Sequence, residues 1–266
     1  MAAEPGAAAG GNMSGPIGLH GGGEFQMGDE PFLDVLLNAA RSAAADRVAA
    51  DSGSSAIVQI VIMPTAAARG RPDRAAAMGI AALNRRVDGD GLDVRINVAP
   101  VVDAASANDV ANAGLLAAAD LILLPGGDPD LIPAILIGTL ALIAIRAARA
   151  RGAVIAGASA GGMALAEWSW TPTGGIRGLG FVAGLALVPH YDDIRRTEWQ
   201  EALDKVAPGE IGYLGLDEQT GAISDGTSDA GRIWHVSGPG AAYWFPRGAR
   251  EPMRIARHGE TIEIRS

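Results

Sequence analysis

The chain has 266 residues, 48% of them hydrophobic and 19% charged, a length that suits one large α/β domain or two small ones. It contains no cysteine, which excludes disulfides, thiolate metal sites, iron–sulfur clusters and a thiol nucleophile. Its net charge of −9 speaks against nucleic acid as the main partner, because neutralising phosphates needs a basic surface.

Residues 1–14 are rich in Ala and Gly, with neither a cationic start nor an apolar stretch. They read as a disordered lead rather than a secretion signal, so a cytoplasmic protein is expected. Residues 15–266 read as a single domain. Ile17–His20 is a short apolar segment stopped by Gly21-Gly22-Gly23. Asp29 stands where it could cap a helix, whose face would be Phe32, Leu33, Leu36, Leu37 and Ala40. Strands are expected at 56–63, 92–98, 120–124 and 153–156, with helices over 72–87, 106–118 and 131–150 between them. The most apolar stretch, Leu131 to Ile145, contains Pro133 and Gly138 and falls short of the roughly 20 residues that span a bilayer. It reads as a buried helix, and no membrane partner is expected.

Continuous apolar strands alternating with helices predict an α/β fold, doubly wound. Its mainly parallel sheet would carry helices on both faces. Beyond Gly178 the pattern turns β-rich, with one helix near 197–206. Strands are expected there at 185–188, 211–216, 222–224, 232–236, 241–245 and 261–265. Trp234, Tyr243, Trp244 and Phe245 on these strands would pack in the core or form a contact in a homodimer.

The most specific motif is Gly157-Ala158-Ser159-Ala160-Gly161, a G-x-S-x-G directly after a strand and before a helical run. That is the context of a nucleophile elbow, where a tight turn lifts a serine Oγ clear of the sheet. Such a serine needs a base. Of the four histidines, His20 lies in the first glycine turn, His235 inside a strand pattern and His258 in a polar turn. His190 follows the strand-like run G-L-A-L-V-P, which puts it at a strand's C-terminal end, where open α/β sheets place their ligands. Leu124-Pro125-Gly126-Gly127-Asp128 closes the preceding strand, and its accessible amides suit an oxyanion hole beside the amide of Ala160.

Together these residues resemble the peptidase E and cyanophycinase family of serine peptidases, relatives of the class I glutamine amidotransferases. The resemblance rests on Ile17–Gly23, on Met63-Pro64-Thr65-Ala66, on Pro125–Asp128, on the elbow, and on His190, 31 residues beyond Ser159. It extends to Gly215-Leu216-Asp217-Glu218-Gln219-Thr220-Gly221 and so covers nearly the whole chain after residue 15. The resemblance implies that Ser159 attacks a peptide carbonyl, that His190 moves its proton, and that the amides of Gly127 and Ala160 bind the oxyanion. It implies neither metal nor cofactor.

The chain also departs from that family. No acid stands at Gly174–Arg177, where the family usually has one, so the carboxylate behind His190 is Glu218, Asp192 or Glu167, with Glu218 preferred. Only Arg195 and Arg196 follow the histidine closely, and Pro129 replaces a glutamine common after G-G-D in cyanophycinases. Asp192 and Arg196 are the expected substrate-binding groups, and a short peptide or dipeptide is expected in place of cyanophycin. Two other readings stay open. His20-Gly21-Gly22-Gly23 spells an esterase oxyanion motif, which would make His258 the base. A non-catalytic binding module would keep the fold without a working triad.

Overall fold

The computed structural model describes residues 14–51, 53, 56–87, 93–171, 174–193, 196–209, 211–226 and 232–264. The lead, apart from Ser14, and Arg195 lie outside the described residues. The first half runs β1 (Ile17–His20), α1 (Glu30–Ala50), β2 (Val58–Ile62), α2 (Pro72–Val87), β3 (Val94–Val98), α3 (Ala104–Ala107) and α4 (Val110–Ala118). It continues with β4 (Leu121–Leu124), α5 (Leu131–Leu136), α6 (Leu140–Ala150), β5 (Val154–Ala158) and α7 (Ala160–Leu165). The second half contains β6 (Ala166–Thr171), β7 (Gly174–Arg177), β8 (Val182–Val188), α8 (Arg196–Val206), β9 (Gly212–Leu216) and β10 (Gly221–Ser224). It ends with β11 (Arg232–Ser237), β12 (Ala241–Phe245), β13 (Arg254–Arg257) and β14 (Thr261–Ile264).

The central sheet has the order β14-β11-β10-β1-β5-β4-β2-β3, parallel from β1 to β3 and antiparallel through β10, β11 and β14. The inner parallel strands β2, β4 and β5 are almost wholly apolar because both faces are covered, whereas the edge strand β3 alternates with Arg95 and Asn97. Successive side chains point to opposite faces. Ile60, Ile62, Leu121, Leu123, Val154 and Ala156 pack under α1 and α2, where Phe32, Leu33, Leu36, Leu37 and Ala40 are buried as the helix pattern predicts. Their neighbours Val61, Ile122, Leu124 and Ile155 face the other way, against α4 to α7 and a second sheet.

That second sheet, ordered β13-β12-β9-β8-β6-β7, is where the fold exceeds the sequence reading. The β-rich region begins at Ala166, not after Gly178, and β6, β7 and β13 were not expected. Leu185 and Leu187 of β8 and Leu214 and Leu216 of β9 turn towards the central sheet. Ala186, Val188 and Tyr213 turn outward to meet Leu203 of α8. Trp234, Trp244 and Phe245 are buried in these cores.

Three helix expectations are corrected. Residues 131–150 form two helices, because Gly138 takes a left-handed φ of 81° and Thr139 Oγ1 bonds back to the Leu136 carbonyl at 2.7 Å. Residues 106–118 likewise divide, each part with its own aspartate cap: Asp103 pairs reciprocally with Ser106, and Asp109 accepts from the amides of Ala111 and Asn112. Asp29 makes no side-chain cap. Its carboxylate accepts from the Phe25 amide at 2.8 Å and lies 2.8 Å from His20 Nε2, a close contact rather than an aligned hydrogen bond.

The far end of the sheet is tied by a charge. Asp120, fully buried ahead of β4, accepts both Nε and Nη2 of Arg47 at 2.9 Å and the Gln59 amide at 2.9 Å. That bidentate hydrogen bonding, at the last turn of α1, holds the guanidinium in its charged form. Asp120→Ala removes the bidentate carboxylate from Arg47 and the acceptor from the Gln59 amide. A loss of about 3–5 kcal/mol in urea-unfolding free energy is expected. Among the described residues no helix is long and apolar enough to cross a membrane.

Candidate active site

The parallel strands β1, β5 and β4 end side by side, and the candidate site is built from the turns that leave them. After β5 the chain reverses at Ser159, which takes φ 48° and ψ −117°. Few non-glycine residues adopt a positive φ, and such strain persists only where the surroundings enforce it. Here a Cβ on Gly157 would meet Gly161 at 2.4 Å, and one on Gly161 would meet the Leu124 carbonyl at 1.9 Å. Both glycines of G-x-S-x-G are therefore sterically required. The Ser159 amide is anchored to the His20 carbonyl at 2.9 Å.

His190 follows β8 with a φ of 51°, and its amide donates to the Gly21 carbonyl at 2.7 Å. Its ring links two partners: Nε2 lies 2.9 Å from Ser159 Oγ, and Nδ1 lies 2.6 Å from Glu218 Oε1. The G-G-G segment after β1 makes room for this ring, since a Cβ on Gly22 would lie 2.2 Å from His190 Cε1. This segment, which the esterase reading took for an oxyanion motif, is thus a cradle for the histidine. Its carbonyls at Gly21 and Gly22 receive the amides of His190 and Gln219.

Glu218 sits in the D-E-x-T turn between β9 and β10. Its neighbours fasten the turn: the Asp217 carboxylate accepts the Ala241 amide at 2.8 Å, and Thr220 Oγ1 accepts the Gly240 amide at 2.8 Å. Burial raises the Asp217 carboxyl above its ordinary range. Gln219 takes a φ of 56°, and Glu218, half-exposed, reaches back to the ring.

The three carboxylates considered from sequence are separated by the fold. Asp192 Oδ1 accepts the Glu218 amide at 3.0 Å, and so braces the acid that meets the imidazole. Glu167 accepts the Gly184 amide at 2.7 Å and pairs with Arg177, within the second sheet. Arg196 opens α8 with its guanidinium 5.9 Å from the Tyr191 ring centre. Neither Asp192 nor Arg196 lines the cavity described below. Among the described residues His258 contacts only Ser237 and Gly238, at 3.4 Å, and His235 is exposed on β11; neither has a described hydrogen bond to Ser159.

The turn after β4 lies opposite. Gly127 has a φ of 153° and no space for a Cβ, which would meet the Ala66 carbonyl at 2.3 Å. That carbonyl also accepts the Asp128 amide at 2.8 Å, so Pro64-Thr65-Ala66 shapes the P-G-G-D turn. The amides of Gly127 and Ala160 have no hydrogen-bond partner among the described residues, and both residues line the same cavity as Ser159 and His190. This cavity has a volume of about 210 Å³.

Sequence reasoning missed Glu24, whose Oε1 accepts the Gly126 amide at 2.8 Å. The only local signal is its place directly after the glycine turn. Glu24 Oε1 and Ser159 Cβ each lie 3.1 Å from where a Gly126 Cβ would sit, so the carboxylate buttresses the P-G-G-D turn beside Ser159. Glu24→Ala is expected to lower kcat by on the order of tenfold, less than the 10²–10³-fold of deleting an oxyanion donor outright. Steady-state kinetics beside Glu24→Gln, which keeps an acceptor, check this.

A family model of peptidase family S51 matches residues 58–228, which include the elbow, His190 and the D-E turn. The chain belongs to peptidase family S51. It is a serine peptidase, of the kind that its resemblance to peptidase E implied. Among solved structures, this S51 peptidase is similar to a peptidase from an acI-B1 Actinobacterium, at 24% identity and a TM-score of 0.73 over 96% of this chain and 98% of that one. That likeness supports the fold. A putative peptidase E protein from Listeria monocytogenes EGD-e matches at 16% identity and a TM-score of 0.49, over 95% and 99% of the two chains. No curated protein matches the S51 peptidase.

Proposed function

We propose that this S51 peptidase hydrolyses small peptides, as a dipeptidase or exopeptidase, through an acyl-enzyme formed on Ser159. The observation that carries the reading is the unbroken chain from Ser159 Oγ to His190 Nε2 at 2.9 Å and from His190 Nδ1 to Glu218 Oε1 at 2.6 Å. With the proton on Nδ1 shared towards Glu218, Nε2 is free to accept the serine proton as Oγ bonds to the scissile carbonyl carbon. The carbonyl oxygen gains negative charge and is received by the amides of Gly127 and Ala160, which have no other described partner. Collapse of the tetrahedral species breaks the C–N bond, and His190 returns the proton to the leaving amine. A water, deprotonated by the same imidazole, then releases the acid and restores Ser159.

Glu218 holds the ring's tautomer and faces the positive charge that the ring acquires. Asp192 and Glu24 act one step behind, on the Glu218 and Gly126 amides. A cavity of about 210 Å³ lies below the roughly 300–1,000 Å³ of drug-sized ligand sites, which supports a small substrate. The test is labelling with a fluorophosphonate probe, followed by mass mapping, alongside a dipeptide panel that includes Asp-X and β-Asp-Arg. An adduct on Ser159 that blocks peptide cleavage is expected. Absence of the adduct in folded protein would favour the non-catalytic reading.

A further inference from the structure

The wall of the cavity around Ser159 has a chemical character of its own. Met163 of α7, Trp170 of β6, Leu187 and Val188 of β8, and Trp199 and Leu203 of α8 all line it. None of the described lining residues is Asp, Glu, Lys or Arg. Leu187, Val188, Leu203 and Met163 are buried in the fold, so this wall exists before any ligand arrives. The two tryptophans are half-buried, and Trp199 stands edge-on to the His190 ring, with centroids 6.2 Å apart. The apolar wall therefore adjoins the base and the nucleophile.

Among the described residues, three charged groups nearby are engaged outside the wall. Asp192 holds the Glu218 amide, Arg196 lies over Tyr191, and Asp128 pairs with Arg69 at 2.8 Å. A substrate carboxylate or guanidinium entering the cavity would lose water and meet no opposite charge on the described wall. Burying an unpaired charge is strongly disfavoured, whereas an apolar side chain gains by leaving water.

We propose that this cavity is the specificity pocket and selects peptides with an uncharged, apolar side chain, of the leucine, methionine or phenylalanine class, beside the scissile bond. The proposal rests on the serine-peptidase mechanism above. Trp170 and Trp199 are its specificity-determining residues, and α8, which belongs to neither sheet, supplies the outer wall.

Two series of dipeptides, Xaa-Ala and Ala-Xaa with Xaa as Ala, Leu, Met, Phe, Asp or Arg, test it on the full chain, with fluorophosphonate labelling of Ser159 in parallel. In at least one series kcat/KM for the apolar members should exceed that for Asp and Arg by roughly tenfold or more, since even one methylene is worth about 10–200-fold in a fitted pocket. Trp170→Arg, which puts a cation into the wall, should lower the apolar-to-acidic ratio by about tenfold while Ser159 still labels. If that variant does not fold, Trp199→Ala should lower the ratio of the bulky to the small apolar members. Preference for Asp or Arg in both series overturns the proposal, as does an unchanged ratio in a folded variant. Labelling of Ser159 without cleavage in either series overturns the substrate class alone. No labelling and no cleavage overturn the mechanism and the pocket together.

Discussion

Replacing Ser159 by alanine is expected to lower peptide turnover by on the order of 10⁴–10⁶-fold, the scale on which removing a serine nucleophile acts in other hydrolases. The geometry explains why so small a change should matter so much. Ser159 Oγ is the atom bonded to His190 Nε2, and among the described contacts no other hydroxyl approaches that nitrogen. The fold should hardly notice. The positive φ at residue 159 is enforced by its anchors, the bond from its amide to His20 and the crowding at Gly157 and Gly161. Alanine meets the same backbone constraint as serine, so the strain is common to both. Only one side-chain hydrogen bond is lost, a change of about 1 kcal/mol in unfolding free energy. Peptide-release assays and a urea melt measure both quantities. An alanine enzyme retaining more than about a hundredth of the activity would sink the acyl-enzyme mechanism.

The second large effect belongs to the acid. Glu218→Gln keeps the length of the side chain but removes its charge, and its amide can offer an N–H to Nδ1. The ring would then be held in the wrong tautomer, and a loss of about 10³–10⁴-fold in kcat is expected, as for other triads that lose their carboxylate. Two parallel variants decide between the carboxylates. Asp192→Asn keeps an oxygen for the Glu218 amide and should cost about tenfold or less. Glu167→Gln should leave kcat unchanged, because its contacts are to Gly184 and Arg177 in the second sheet. A loss at Asp192 or Glu167 as large as at Glu218 would reassign the acid.

Much of the fold was legible because it depends on local pattern. The strands at 121–124 and 154–158 carry no polar side chain and the strand at 58–62 only Gln59, as burial on both faces demands. The face of α1 was legible for the same reason. Less visible was the split at Gly138, since apolar periodicity runs across it and only a backbone conformation breaks it. The strand β6, A-E-W-S-W-T, directly follows the helix of the elbow, and nothing local separates the two.

By itself the sequence determined the parallel α/β core, the tight G-x-S-x-G turn at Ser159 and a short choice of histidines. These follow from short-range sterics: an elbow needs small residues within two positions of the serine, and a buried strand needs apolar ones in a row. Only the tertiary structure decided which carboxylate meets His190, because Glu218 lies 28 residues away and arrives through the β9–β10 turn. It alone brought Glu24 to Gly126 across 102 residues, turned the H-G-G-G segment into a cradle for an imidazole, and gathered Trp170, Leu187 and Leu203 into one apolar wall. Such meetings depend on strand order and register across two sheets, which are set by the packing of the whole chain and leave no mark at any single position.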